Sequence, residues 1–279
     1  MNHPRSRSAF VAATLTTFAA VGTGLGGCTS FSPTVEGRMT SSVPMTDAPR
    51  VHVRSINGGI RVIRTDEPTM SVEAKVRARN TDRLDAVRIV TERGDDGSYD
   101  ISLAWPDDER LNNEGADLSI TLPDASELRL ESSNGAFNIE GFDAAVFART
   151  SLGSIRVIGP ARSVDVVTSN GTINIEGATG DVLARSSNGW IRVTLDPESP
   201  GPVEATTSNG SITLGAGPSF DSEIEMWTSR GSLRVDGFES IGPPSFLESR
   251  RNYMRLGFGD ATHKSTLRTT NGNVTVRPL

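Results

Sequence analysis

Few side chains in this chain of 279 residues could carry chemistry, and they stand apart from one another. The histidines are His3, His52 and His263, and the one cysteine is Cys28. His52 alternates with Val51 and Val53 in a run of strand character, so it faces outward. A triad, a histidine base or a zinc site needs convergent partners that this spacing does not supply. Asp165, Glu204 and Glu225 each fall six residues before a recurring glycine, so they share one outward row. Paired carboxylates on such a face could hydrolyse a glycan, whereas a charged strand face more often serves solvation and edge protection. Asp95-Asp96-Gly97 resembles a calcium turn without the further oxygen ligands a site needs. Gly22-Thr23-Gly24-Leu25-Gly26-Gly27 satisfies the dinucleotide pattern G-x-G-x-x-G, yet it lies in a leader-like stretch and not between a strand and a helix. No metal, no cofactor and no catalytic set is expected, and the chain reads as a non-enzyme.

Arginines are more informative. Arg149 and Arg156 recur as Arg185 and Arg192, with Trp190 between the second pair. A guanidinium fork takes carboxylates or phosphates, so this Arg-Trp strip is a candidate glycan-binding surface for an anionic envelope polysaccharide. The alternative is a solubilising ladder satisfied by neighbours such as Glu140 and Glu176. Along the outward position three after each glycine, Asn138, Arg156, Asn174, Arg192, Thr213 and Arg234 alternate in charge, which keeps stacked arginines apart.

The elements that must position these residues come from a repeated phrase. It reads Ser133-Asn134-Gly135, Ser169-Asn170-Gly171, Ser187-Asn188-Gly189, Ser208-Asn209-Gly210 and Thr270-Asn271-Gly272, with degenerate copies at Gly58, Gly153 and Gly231. Counting from Gly171, positions −7, −5, −3, +2 and +4 are Val164, Val166, Thr168, Ile173 and Ile175. The same inward code holds at Gly189, Gly231 and Gly58. Each unit is therefore two half-buried strands joined at Asn-Gly, with one small hydroxyl facing inward. Residues 132–157 and 168–193 share 15 identities in 26 positions, so a pair of units is duplicated.

Two architectures fit. Asn-Gly between alternating runs is the strongest hairpin signal and would give an antiparallel meander or sandwich, the turn residues tolerating positive φ. A parallel β-solenoid of 18–21-residue two-strand coils fits the same pattern and also covers its own apolar face. The second is expected. Residues 50–127 then form an irregular N-terminal β region or cap, and 128–279 the regular solenoid. An insertion at 240–264 interrupts it, and such insertions often map to a binding face.

The first residues set the address. Arg5 and Arg7 precede an uncharged stretch from Ala9 to Gly27, the form of a secretory signal peptide over 1–27. Leu25-Gly26-Gly27-Cys28 resembles the lipobox of bacterial lipoproteins, in which the cysteine is acylated; the resemblance implies lipidation at Cys28 and a membrane partner through that lipid. Residues 28–49, rich in Ser, Thr and Pro, read as a lipidated N-terminus and flexible tether of roughly 25 Å. Removing Arg5 and Arg7 from the 28 basic residues leaves 26 against 34 acidic ones, so nucleic acid is excluded as a partner on bulk charge.

The Ser-Asn-Gly phrases, the strand end Ile120-Thr121-Leu122-Pro123 and the closing Leu267-Arg268-Thr269-Thr270-Asn271-Gly272 are similar to the DUF4097 adhesin family over residues 50–279. The resemblance implies a non-catalytic cell-envelope β-repeat protein, an adhesin or structural interaction module, on the outer membrane or the periplasmic face of a membrane. The alternatives are an accessory or sensor protein of envelope maintenance that holds a protein partner through 240–264, and a carbohydrate-active enzyme on a β-helix.

Overall fold

The structure, a computed structural model, describes residues 14–16, 34–238 and 242–279. The rest of the leader, including the lipobox and Cys28, lies outside the described residues. In chain order the strands are β1 (Thr14–Thr16), β2 (Val35–Pro44), β3 (Arg50–Arg54), β4 (Ile60–Arg64) and β5 (Thr69–Ala78). A short helix α1 (Thr81–Ala86) precedes β6 (Arg88–Arg93), β7 (Tyr99–Ala104) and β8 (Gly115–Leu122). The regular array follows: β9 (Glu127–Asn134), β10 (Phe137–Glu140), β11 (Ala145–Leu152), β12 (Ile155–Ile158), β13 (Ser163–Asn170) and β14 (Ile173–Ala178). It continues as β15 (Asp181–Asn188), β16 (Ile191–Leu195), β17 (Val203–Asn209), β18 (Ile212–Ala216), β19 (Ser222–Arg230) and β20 (Leu233–Val235). β21 (Ser245–Arg250), β22 (Tyr253–Gly257), β23 (His263–Asn271) and β24 (Val274–Pro278) complete the chain.

These strands form two walls. The first runs β1-β2-β5-β8-β4-β10-β12-β14-β16-β18-β24-β20, and the second β21-β22-β19-β23-β17-β15-β13-β11-β9-β3-β7-β6. Strands of successive repeats pair in parallel, so this is a β-solenoid and the antiparallel meander is excluded. The inward code is the core: Val164, Val166, Thr168, Ile173 and Ile175 are all buried, as are their equivalents around Gly189.

At the corners the glycine half of the positive-φ expectation holds in part and the asparagine half does not: Gly58, Gly153, Gly189 and Gly272 have φ of 142, 150, 156 and 157°. Among the described residues, positive φ outside glycine occurs only at Asp107, Asp108 and Ala261, so the asparagines are not left-handed. Glycine is required because stacked corners nearly touch. A Cβ on Gly171 would lie 2.0 Å from the Gly153 carbonyl oxygen, and one on Gly210 would lie 2.1 Å from that of Gly189. The inner hydroxyl satisfies the same carbonyl: Thr168 Oγ1 donates to the Gly153 oxygen at 3.0 Å and Thr269 Oγ1 to the Gly210 oxygen at 2.8 Å. Outside, the asparagines form a ladder, with Nδ2 of Asn188, Asn209 and Asn271 donating to Oδ1 of Asn170, Asn188 and Asn209 at 2.8–2.9 Å.

The stacking order departs from chain order at both ends. Numbered from the N-terminal end, coil 1 is β7–β8, coil 2 is β3–β4, coils 3 to 7 are β9–β10 through β17–β18, coil 8 is β23–β24 and coil 9 is β19–β20. At each end of the stack the first or last coil of the chain is therefore the inner one, covered by its sequence neighbour: β3–β4 by β7–β8, and β23–β24 by β19–β20. The ends are capped differently. At the start, β2 and β5 extend the first wall and β6 the second. At the finish, the β21–β22 hairpin extends the second wall beyond β19.

Two expectations are corrected here. Residues 35–44 of the supposed tether are strand β2, paired along its length with β5. Its buried positions include Met39 flanked by Gly37 and Ser41, and the small glycine and polar serine hide the alternation from a hydrophobicity count. Of the 240–264 insertion, residues 242–262 are an end cap and not a loop on one face. Phe258, at its far side, packs edge-on against Phe220 and Phe238 and closes the core.

Candidate functional site

The second wall carries an open cleft of about 890 Å³ beside the Asn-Gly corners. Its floor is the outer face of β3, β9, β11 and β13, where residues four and two before each corner glycine point outward. The end of β7 with Leu103, and the β7–β8 connection with Trp105 and Arg110, stand along one side. Arg54 and Arg149 rise from the floor, with Ser133, Ser151 and Ser169 nearer the corner. Such a surface offers guanidinium forks, a row of hydroxyls and an aromatic side, the groups that hold an acidic sugar polymer.

A buried carboxylate holds the side of the cleft. Glu114 is 1% exposed and accepts from the Arg83 guanidinium at 2.7 and 2.9 Å, from the Leu111 amide at 2.9 Å and from the Arg79 amide at 3.1 Å. Burial alone would raise its pKa; the Arg83 pair and the two amides outweigh that and hold it at about 2. Arg110 donates in turn to the Glu114 carbonyl at 2.7 Å. Asn80 caps α1 by accepting from the Arg83 amide at 2.9 Å, which fixes that arginine's approach.

The arginines singled out from sequence do not form one strip. Arg149 and Arg185 lie on the second wall, two strands apart with Val167 between them. Arg156 and Arg192 lie on the first wall, two strands apart with Asn174 between them. Both sets are outward, but outward from opposite walls, a distinction that counting from the glycine does not make. Trp190 sits on the corner, 43% exposed, with the Arg192 guanidinium 5.3 Å from its ring centre. Arg185 donates to Glu204 at 2.8 Å, a hydrogen bond that raises its pKa further; Arg149 stands 3.8 Å from Asp165, and Arg156 3.8 Å from Glu176. The neighbouring acids of the ladder reading are therefore present, yet these three arginine side chains keep half or more of their surface.

The carboxylate row is diluted by the stack. Leu183 separates Asp165 from Glu204, and Thr266 separates Glu204 from Glu225. His52 lies between Asp100, at 3.1 Å, and Glu131, at 3.6 Å, on the second wall. Among the described residues no group of three His, Cys, Asp or Glu side chains is placed to hold a metal, and no helix is long and apolar enough to cross a membrane. Sequence reasoning missed Arg54, Trp105 and Arg110. Arg54 was legible as the position four before Gly58, while Trp105 and Arg110 come from a connection outside the repeat.

No family model and no curated protein matches the chain. Similar solved structures include one titled "putative cell adhesion protein" from Clostridium sporogenes, at 12% identity and TM-score 0.35, covering 88% of this chain and 100% of that one. Another is a "putative adhesin" from Bacteroides fragilis at 10% identity and TM-score 0.39, covering 87% and 97%. A third is a "putative lipid binding protein" from Parabacteroides distasonis at 14% identity and TM-score 0.36, covering 87% and 96%. At these values the likeness does not bear on function.

Proposed function

We propose that this chain is a non-catalytic, lipid-anchored module of the bacterial cell envelope that adheres to anionic polysaccharide through its second wall. The observation that carries the reading is the cleft, where Arg54, Arg149 and a row of exposed serines share one rigid floor beside Trp105. A floor built of paired strands loses little conformational entropy on binding, which suits adhesion to a repetitive polymer. The lipobox-like Leu25-Gly26-Gly27-Cys28 supports the anchor. With β2 starting at Val35, seven residues after Cys28, the lipid would hold the N-terminal cap within about 25 Å of the membrane and leave the other end outermost. Arg156 and Arg192 face away from this cleft and are left with a solubilising role.

The test has two arms. Full-length protein expressed in a lipoprotein-processing bacterium is labelled with palmitate and fractionated; Cys28→Ser should lose the label and leave the membrane fraction. Purified protein is then passed over immobilised acidic and neutral polysaccharide. Retention on the acidic support that falls steeply with salt is expected, and equal passage through both would overturn the reading. A second reading, an accessory protein with a protein partner, is favoured by Phe246 and Leu247, which are 64% and 47% exposed on edge strand β21. Cross-linking in cell envelopes with Phe246→Ser and Leu247→Ser would separate the two readings, because only the partner contact should suffer.

A further inference from the structure

The second wall carries two lanes with different periods. Nearest the corner, two residues before each glycine, an exposed hydroxyl stands on nearly every coil: Ser133, Ser151, Ser169, Ser187, Ser208 and Thr270 on coils 3 to 8. Two residues further back lies the second lane. In stack order it reads Arg54, Glu131, Arg149, Val167, Arg185, Thr206, Arg268. The arginines occupy coils 2, 4, 6 and 8, and no other cation stands between them. With stacked strands about 4.8 Å apart, hydroxyls recur each coil and arginines every two, about 9.6 Å.

Duplication accounts for only part of this. Arg149 and Arg185 are equivalent members of the duplicated pair, 36 residues apart. Arg54 and Arg268 lie outside it, and they fall into register only because the two terminal coils are slotted out of chain order. Had β19 stacked directly on β17, Trp227 would occupy the place of Arg268. Each arginine is also steadied against the wall: Arg54 by Asp100 at 3.2 Å, Arg149 by Asp165 at 3.8 Å, Arg185 by Glu204 at 2.8 Å and Arg268 over the Trp227 ring at 4.4 Å. A guanidinium carries five N–H donors, so one such contact leaves donors for a ligand while fixing the side chain's direction.

We infer that this face reads an extended β-linked glycan bearing one carboxylate on every second ring. This rests on the glycan-binding reading above and adds its register. Successive rings of such a chain advance by about the spacing of one coil, so each ring meets a hydroxyl and each acidic ring an arginine. A polymer charged on every ring would place its extra carboxylates against Glu131, Val167 and Thr206, where no cation answers them.

Binding of the full chain is compared for three β-linked probes at fixed ionic strength: hyaluronan oligosaccharides, acidic on alternate rings; β-1,4-linked oligoglucuronate, acidic on every ring; and neutral chitohexaose. Hyaluronan should bind at least tenfold tighter than the other two. Arg149→Ala with Arg185→Ala should weaken it at least tenfold, while Arg156→Ala with Arg192→Ala changes it less than twofold. Val167→Arg with Thr206→Arg, which fills the vacant places, should move the preference towards oligoglucuronate. Unchanged thermal unfolding of each surface variant shows that the wall is intact. If neither acidic probe binds, the glycan reading itself falls. If acidic probes bind but the two arginine pairs behave alike, or oligoglucuronate equals hyaluronan, the register is overturned and the glycan reading stands.

Discussion

The inside and the outside of the same coils repeat differently. Inward, the chain keeps one-coil periodicity: an apolar pair, a hydroxyl, the corner glycine and another apolar pair, as in Val164, Val166, Thr168, Gly171, Ile173 and Ile175. Outward on the second wall, the lane from Arg54 to Arg268 has a two-coil period. Packing explains the first, because each coil meets an equivalent coil and must solve the same problem. It does not require the second, since an exposed strand position accepts many residues at nearly equal stability. The difference separates what holds this molecule together from what it presents.

The contrast can be attacked first at its inner side, where the effects are largest. Gly171→Ala would drive a methyl to 2.0 Å from the Gly153 carbonyl, between two backbones that cannot move apart singly. A loss on the order of 4 kcal/mol is expected in denaturant unfolding. Ser169→Ala, two residues away and exposed, should change stability by less than about 0.5 kcal/mol. Next comes the buried Glu114 beside the cleft. Its folded pKa of about 2 lies below the ordinary 4.5, so its contribution is present above pH 4.5 and drains away as pH falls towards 2. That contribution is on the order of 3 kcal/mol, and Glu114→Gln should remove most of the acid sensitivity of the N-terminal cap. Acid unfolding followed by the fluorescence of Trp105, in a Trp190→Phe and Trp227→Phe background, measures it.

Smaller effects test the corner's two faces against each other. Thr168→Val keeps the shape but leaves the Gly153 carbonyl without its donor, at a cost of about 1–3 kcal/mol. Leu152 interrupts the outer asparagine ladder between Asn134 and Asn170 and is 51% exposed. Leu152→Asn would complete the ladder, and stability should rise by about 0.5–1 kcal/mol in thermal unfolding. An unchanged or lowered stability would show that the ladder contributes nothing at this corner.

Much of the inner face was legible in the sequence, and the reason is physical. Inward positions are fixed by parity and apolarity, so counting from Gly171 or Gly189 finds them without knowing how strands pair. Pairing itself was not legible: a hairpin and a coil place Thr168 and Ile173 on the same side, and only burial of the whole sheet favoured the solenoid. Positive φ at corner glycines such as Gly153 and Gly189 was legible, whereas the close approach between stacked corners leaves no local signature. Strand β2 was hidden by buried Gly37 and Ser41, which carry little hydrophobicity. The stacking order was out of reach, since near-identical phrases such as those at Gly210, Gly231 and Gly272 do not say which neighbours which. That order is what aligns Arg54 and Arg268 with Arg149 and Arg185, so the candidate site could be glimpsed only through its duplicated middle.

Out-of-order stacking therefore decides the outer register, and engineered disulfides read it directly. Ser208 and Thr270 lie between the paired positions Thr207–Thr269 and Asn209–Asn271, which places them on neighbouring coils. Their Cα separation then suits a disulfide, whereas Ser229 lies a coil further away. In a Cys28→Ser background, Ser208→Cys with Thr270→Cys should oxidise to a closed intramolecular bond while Ser208→Cys with Ser229→Cys stays reduced. Closure of the second pair and not the first would mean that the C-terminal coils stack in chain order, which would put Trp227 in the place of Arg268 and cut the two-coil lane short at Arg185.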